Sequence, residues 1–123
     1  MNWFHAVLLL FVWSPCYCEI KKNFDININS DGSYKLLTNG NEWLTSANTF
    51  MWSKNVQYDT NSKSLILQNV SSSEGSDVLG KWKASTFVYT LHNESAIKMN
   101  CVIIKYNDLN LVRFVQVLKI TFF

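Results

Sequence analysis

Residues 82–91, 96–106 and 111–123 form three long runs of strand-forming residues, separated only by His92-Asn93-Glu94-Ser95 and Asn107-Asp108-Leu109-Asn110. Connections this short join antiparallel strands, because a parallel pair needs a crossover of a dozen residues or more. The same grammar runs through the earlier half of the chain. Phe24-Asp25-Ile26-Asn27-Ile28 alternates apolar and polar residues with the period of two that marks a half-buried strand. Asn29-Ser30-Asp31-Gly32-Ser33 then supplies a turn, and residues 34–38 a second strand closed by the turn dipeptide Asn39-Gly40. Residues 55–59 lead into the turn Thr60-Asn61-Ser62, and residues 64–70 make a further strand. Nowhere does a helical period of 3.6 emerge. Strands at this spacing predict an all-β fold, an antiparallel β-sandwich with a small β-barrel as the alternative. Ser71-Ser72-Ser73-Glu74-Gly75-Ser76-Asp77 has the composition of an exposed loop and is expected to be one.

Residues 1–18 carry a different signal. Ala6-Val7-Leu8-Leu9-Leu10-Phe11-Val12-Trp13 is an unbroken apolar run, broken by Ser14-Pro15 and followed by Cys16-Tyr17-Cys18. Small residues at the −3 and −1 positions before Glu19 fit a signal-peptidase site, and the run is too short to span a bilayer. The expectation is a signal peptide over 1–18, export into the secretory pathway, and a single β-sandwich domain over 19–123 with no stable membrane span.

Every Lys, Arg, Asp and Glu lies after residue 18, so the exported chain keeps the net charge of +2. That value, with basic residues scattered among acids, excludes the clustered Lys and Arg that nucleic acid requires. Of three cysteines, Cys16 and Cys18 leave with the signal peptide, and Cys101 has no intrachain partner. It reads as a buried, inert thiol.

Chemistry is sparse. His92 is the one histidine outside the signal region and falls in a turn, which leaves neither a zinc-ligand set nor a nucleophile–His arrangement. The four glycines are isolated, so no phosphate-binding loop exists. Glu74, Asp77, Asp59, Glu94 and Asp108 sit in predicted loops and turns and are read as solubilising residues. No catalytic residue, metal site or cofactor is expected. Two sequons stand out, Asn69-Val70-Ser71 and Asn93-Glu94-Ser95, each expected at the end of a strand where an acceptor is accessible. Trp43, Phe50, Trp52, Tyr58, Trp82, Phe87 and Tyr89 are many large rings for a small domain. Core filling is the commoner use of such rings, whereas an exposed ring can stack on a sugar face. Trp43 and Trp52 are the candidates for ligand contact, and Trp82 is expected in the core.

Three blocks, Leu36-Leu37-Thr38-Asn39-Gly40-Asn41-Glu42-Trp43-Leu44, Ser73-Glu74-Gly75-Ser76-Asp77-Val78-Leu79-Gly80-Lys81-Trp82 and Leu111-Val112-Arg113-Phe114-Val115-Gln116, together resemble the N-terminal β-sandwich of secreted alpha-galactosidase-like (melibiase-clan) proteins. The resemblance covers residues 32–116. It implies a carbohydrate-related setting and, as a partner, a catalytic barrel following the sandwich. That barrel carries the family's catalytic aspartates, so none maps onto these residues. The apolar end of the chain, which has a single charge, Lys119, after Gln116, is expected either to close the sandwich as a final strand or to mark a fragment incomplete at its C-terminus. The expected function is a non-catalytic accessory domain of a glycosidase-like protein. The alternatives are a stand-alone carbohydrate or small-ligand binding module and an adhesion or scaffold module. Exposed tryptophans lining a groove would favour a binder, and fully buried rings a scaffold.

Overall fold

The computed structural model describes residues 24–121, so the proposed signal peptide lies outside the described residues. Among the described residues nine strands follow in order: β1 (Phe24–Ile28), β2 (Tyr34–Thr38), β3 (Asn41–Thr45), β4 (Phe50–Ser53), β5 (Val56–Asp59), β6 (Leu65–Asp77), β7 (Gly80–Leu91), β8 (Glu94–Tyr106) and β9 (Val112–Ile120). They pair antiparallel into three sheets, β1-β2-β3, β4-β5 and β6-β7-β8-β9. The fold is all-β and sandwich-like, and no sheet closes into a barrel.

The four-stranded sheet is the platform. Along β7, Phe87, Tyr89 and Leu91 share one face; opposite them β8 places Met99 and Ile103 on the same face through the pairs Phe87↔Cys101 and Tyr89↔Met99. These residues, with Leu65 and Ile97, form the main core. The two smaller sheets close over it, with Ile26, Ile28 and Tyr34 from the first and Met51 and Tyr58 from the second packed against it. The opposite face carries a second cluster of Ala84, Ile104 and Tyr106, against which Trp82, Val102 and Val115 pack. Apolar residues on both faces explain why β7 and β8 read as dense apolar runs and not as clean alternation.

Trp82 is half-buried in this second cluster and Lys83 is exposed on the other face, as alternation requires. Gly75 stands directly across the ladder from Trp82. A Cβ built on Gly75 would lie 2.4 Å from the indole, so the ring occupies the space a side chain would take. An aromatic laid over a facing glycine restores the packing the glycine omits.

One expectation is corrected. Residues 71–77 are not a loop: β6 runs unbroken to Asp77, pairing residue by residue with β7 down to Asp77↔Gly80. Serine is a weak strand former, yet here the β7 ladder satisfies the backbone while the short side chains stay exposed along the sheet edge. The turn is Val78-Leu79, with the Leu79 amide donating to Asp77 Oδ1 at 2.8 Å and Gly80 at φ 116°. At the other edge β9 continues past Gln116 without interruption, Val117 to Ile120 pairing with Asn100 to Ile97.

Candidate functional site

Two bulges set the surface geometry. In the β2–β3 ladder, Leu36 pairs with Leu44 but Leu37 pairs with Glu42, so Trp43 is the extra residue of β3. A bulge of this kind re-aims a side chain and commonly does so beside a functional surface. Trp43 is 68 % exposed. Its indole meets Phe24 edge-on, with ring centroids 6.2 Å apart and an interplanar angle of 67°, a favourable geometry for aromatic pairs that fixes the ring's attitude.

The indole forms one wall of a groove of about 580 Å³ that Phe24, Thr38, Asn41, Glu42 and Asn110 complete. Asn110 reaches it from the β8–β9 turn, where its Oδ1 accepts the Phe24 amide at 3.2 Å. That bond commits the amide oxygen and leaves the NH₂ as a donor. Glu42 takes hydrogen bonds from the Thr45 hydroxyl and from Lys35 Nζ, the latter at 2.9 Å. The Thr45 hydroxyl first, then Lys35, hold its carboxyl below the usual glutamate value. Glu42 is thus an ionised acceptor whose charge Lys35 already balances, and a carboxylate retains lone pairs beyond two such bonds. The groove offers an aromatic face, a carboxylate acceptor and amide donors. It holds no nucleophile–base pair.

Trp52 is 62 % exposed on β4, opposite Gln57, and does not line this groove. The structure therefore leaves the two candidate tryptophans on separate surfaces. The other rings divide as core filling predicts for Phe87 and Tyr89, both 1 % exposed, while Phe50 is more than half exposed. Thr38, Asn41, Glu42, Asn110 and Phe24 were not singled out by sequence. Asn41-Glu42-Trp43 offered the only local hint, since Asn110 and Phe24 lie 86 residues apart.

The sequons occupy different settings. Asn93 sits exposed in the β7–β8 turn, as expected. Asn69 is not at a strand end. It lies within β6 just after the second bulge, where the partner of Leu67 is Tyr89 and that of Asn69 is Val88, leaving Gln68 extra. The bulge turns Gln68 onto buried Thr90, with Nε2 donating to Oγ1 at 2.8 Å. It also resets the alternation, so that Asn69 and Ser71 both fall on the outer face, with Val88 and Thr86, and both are exposed.

Cys101 is half-buried and not fully buried as expected, and burial pushes its thiol pKa up against the opposing effect of Gln116, which disfavours the thiolate. His92 is exposed in its turn, its ring centroid 6.4 Å from that of Tyr58. Among the described residues no group of three His, Cys, Asp or Glu side chains is placed to hold a metal ion, and no helix is long and apolar enough to cross a membrane. Comparison with protein-family models, with curated proteins and with solved structures found no match to this chain.

Proposed function

We propose that this protein is a secreted, non-catalytic module that binds carbohydrate through the Trp43 groove, the role an accessory domain of a glycosidase-like protein performs. The observation that carries the reading is the bulge at Trp43, which leaves a large ring exposed at the wall of a groove lined by Asn41, Glu42 and Asn110. A buried ring stabilises the fold, whereas an exposed ring held by Phe24 presents a flat apolar face on which the C–H face of a sugar stacks. The amide donors and the carboxylate acceptor then read hydroxyl positions, the few placed polar groups a small-ligand site needs. The resemblance of residues 32–116 to the alpha-galactosidase-like sandwich supports the same setting and makes galactosides the first ligands to test.

Titration with methyl α-D-galactoside and with galactose-containing oligosaccharides, followed by calorimetry and by tryptophan fluorescence, tests the reading. Saturable binding lost in Trp43→Ala and retained in Trp52→Ala supports it. An absence of binding across a broad glycan array, or binding indifferent to Trp43→Ala in a folded variant, would refute it. Export is tested separately by intact mass of product from eukaryotic cells, which should begin at Glu19.

A further inference from the structure

A second cavity, sharing no lining residue with the Trp43 groove, lies between the inner face of the four-stranded sheet and the segment joining β3 to β4. Its volume is about 560 Å³, within the range that holds a drug-sized molecule. We propose that this cavity is a binding site for an uncharged, largely aromatic small molecule.

The lining sets the chemistry. Five rings surround the space: Phe87 and Tyr89 at its floor, and Tyr34, Phe50 and Phe114 nearer the mouth. Phe50 is 55 % and Phe114 47 % exposed, and a molecule seated in the cavity would cover part of each ring. Tyr34 and Phe114 stack with centroids 5.0 Å apart and planes tilted by 35°, which fixes the two as one wall. None of the described lining residues carries a charge. An ion entering would lose hydration with no countercharge to meet it, a cost that an uncharged ligand avoids.

Polar groups, from Ser46, Asn48, Thr49 and Gln116, share the lining with the rings. Gln116 pairs with Cys101 across the β8–β9 ladder, and its amide reaches the thiol at 3.9 Å, a weak contact that leaves the amide able to serve a better acceptor. Asn48 sits exposed at the rim. Tyr89 contributes a hydroxyl kept protonated by burial, which raises its pKa against the hydrogen bond to Thr49. Beyond the mouth, Leu118 and Ile120 lie on the same face of β9 as Phe114 and are about half exposed, so an apolar surface continues along the strand.

The probe for the test is N-phenyl-1-naphthylamine, an uncharged aromatic whose emission rises in apolar surroundings. Its anionic relative 8-anilinonaphthalene-1-sulfonate reports on charge. The expected result is saturable binding of the neutral probe at one site per chain, at least tenfold tighter than the sulfonate. Phe114→Ala should weaken the neutral probe tenfold or more, while Trp52→Ala, which removes no lining residue, should not. Gln116→Lys places a cation in the wall on an exposed edge strand, so it should weaken the neutral probe and strengthen the sulfonate. Thermal melts of each variant establish that it is folded. Emission that fails to saturate, equal affinity for the two probes, or indifference to both Phe114→Ala and Gln116→Lys in folded protein would overturn the proposal.

Discussion

Replacing Trp82 by Ala separates a structural tryptophan from a presented one. The indole packs on Ala84, Ile104 and Tyr106 and covers Gly75. At ~150 Å² of ring surface removed from water, the low end for a packed aromatic, the transfer value is ~4 kcal/mol. Discounting about a third, because the unfolded chain already buries part of that surface, leaves ~2.5 kcal/mol. For a domain of this size that lowers the melting temperature by roughly 10–20 °C, a large share of the ~5–15 kcal/mol such domains have. Trp43→Ala, at a 68 % exposed position, should cost no more than ~0.5 kcal/mol. Gly75 supplies an internal check. Gly75→Ala in the wild-type background drives a methyl into the indole and should cost ~1–3 kcal/mol by overpacking. With Trp82 already Ala the same change meets no ring, so a double-mutant cycle followed by circular-dichroism melts should show coupling of ~1 kcal/mol or more. Equal melting temperatures for Trp82→Ala and Trp43→Ala, or a Gly75→Ala cost identical in both backgrounds, would refute the assignment.

Endoglycosidase treatment of secreted protein should lower its gel mobility mass, with Asn69→Gln and Asn93→Gln each removing one step; an unshifted band would exclude both sites. The Asp25, Asp31, Glu42, Asp59 and Asp77 carboxyls all lie below their ordinary values, through Lys105, Ser33, Thr45, the Ser62 amide and the Tyr106 hydroxyl respectively. The unfolded chain therefore binds protons more readily, so this stabilisation is full above the unfolded carboxylate value, about 4, and disappears as pH falls through the lower folded values. Melting temperature should accordingly decline as pH falls below about 4, modestly because these carboxyls are solvent-exposed, and Asp77→Asn should lessen that decline. Replacing residues 117–120 with polar residues that keep strand propensity should lower the melting temperature, because Ile97, Met99 and Asn100 would lose apolar cross-strand neighbours. Improved solubility with an unchanged melt would instead show that this end of β9 contributes nothing to the fold.

The strands at 24–28 and 34–38, the Asn39-Gly40 turn and the β7–β8–β9 meander were legible because alternation and turn residues are local signals. The extension of β6 was not, since Ser71-Ser72-Ser73 becomes a strand only through the β7 ladder that pairs with it. The site was half legible. Trp43 could be named as a candidate, yet nothing local to it announces a bulge, which arises from the register with β2. Asn110 enters the groove only because the β8–β9 turn folds back onto the start of β1. At Asn69 the tripeptide was legible but its place inside β6 was not, and its outward aim depends on the irregularity at Gln68.

That irregularity has a bearing on assembly. The four-stranded sheet ends in β6 on one side and β9 on the other. A glycan anchored at Asn69 would crowd the β6 side with hydrated, mobile bulk, and β6 already bears a polar serine run there. Backbone addition from that direction would be sterically closed. The β9 side, with Arg113 and Lys119 as its only charges, would be left as the sole direction in which the sheet can grow. The molecule would then have a polarity of its own: one flank shielded by sugar, the other open to a strand from a neighbour, so that contact through the platform ends at two copies and does not propagate into a fibre.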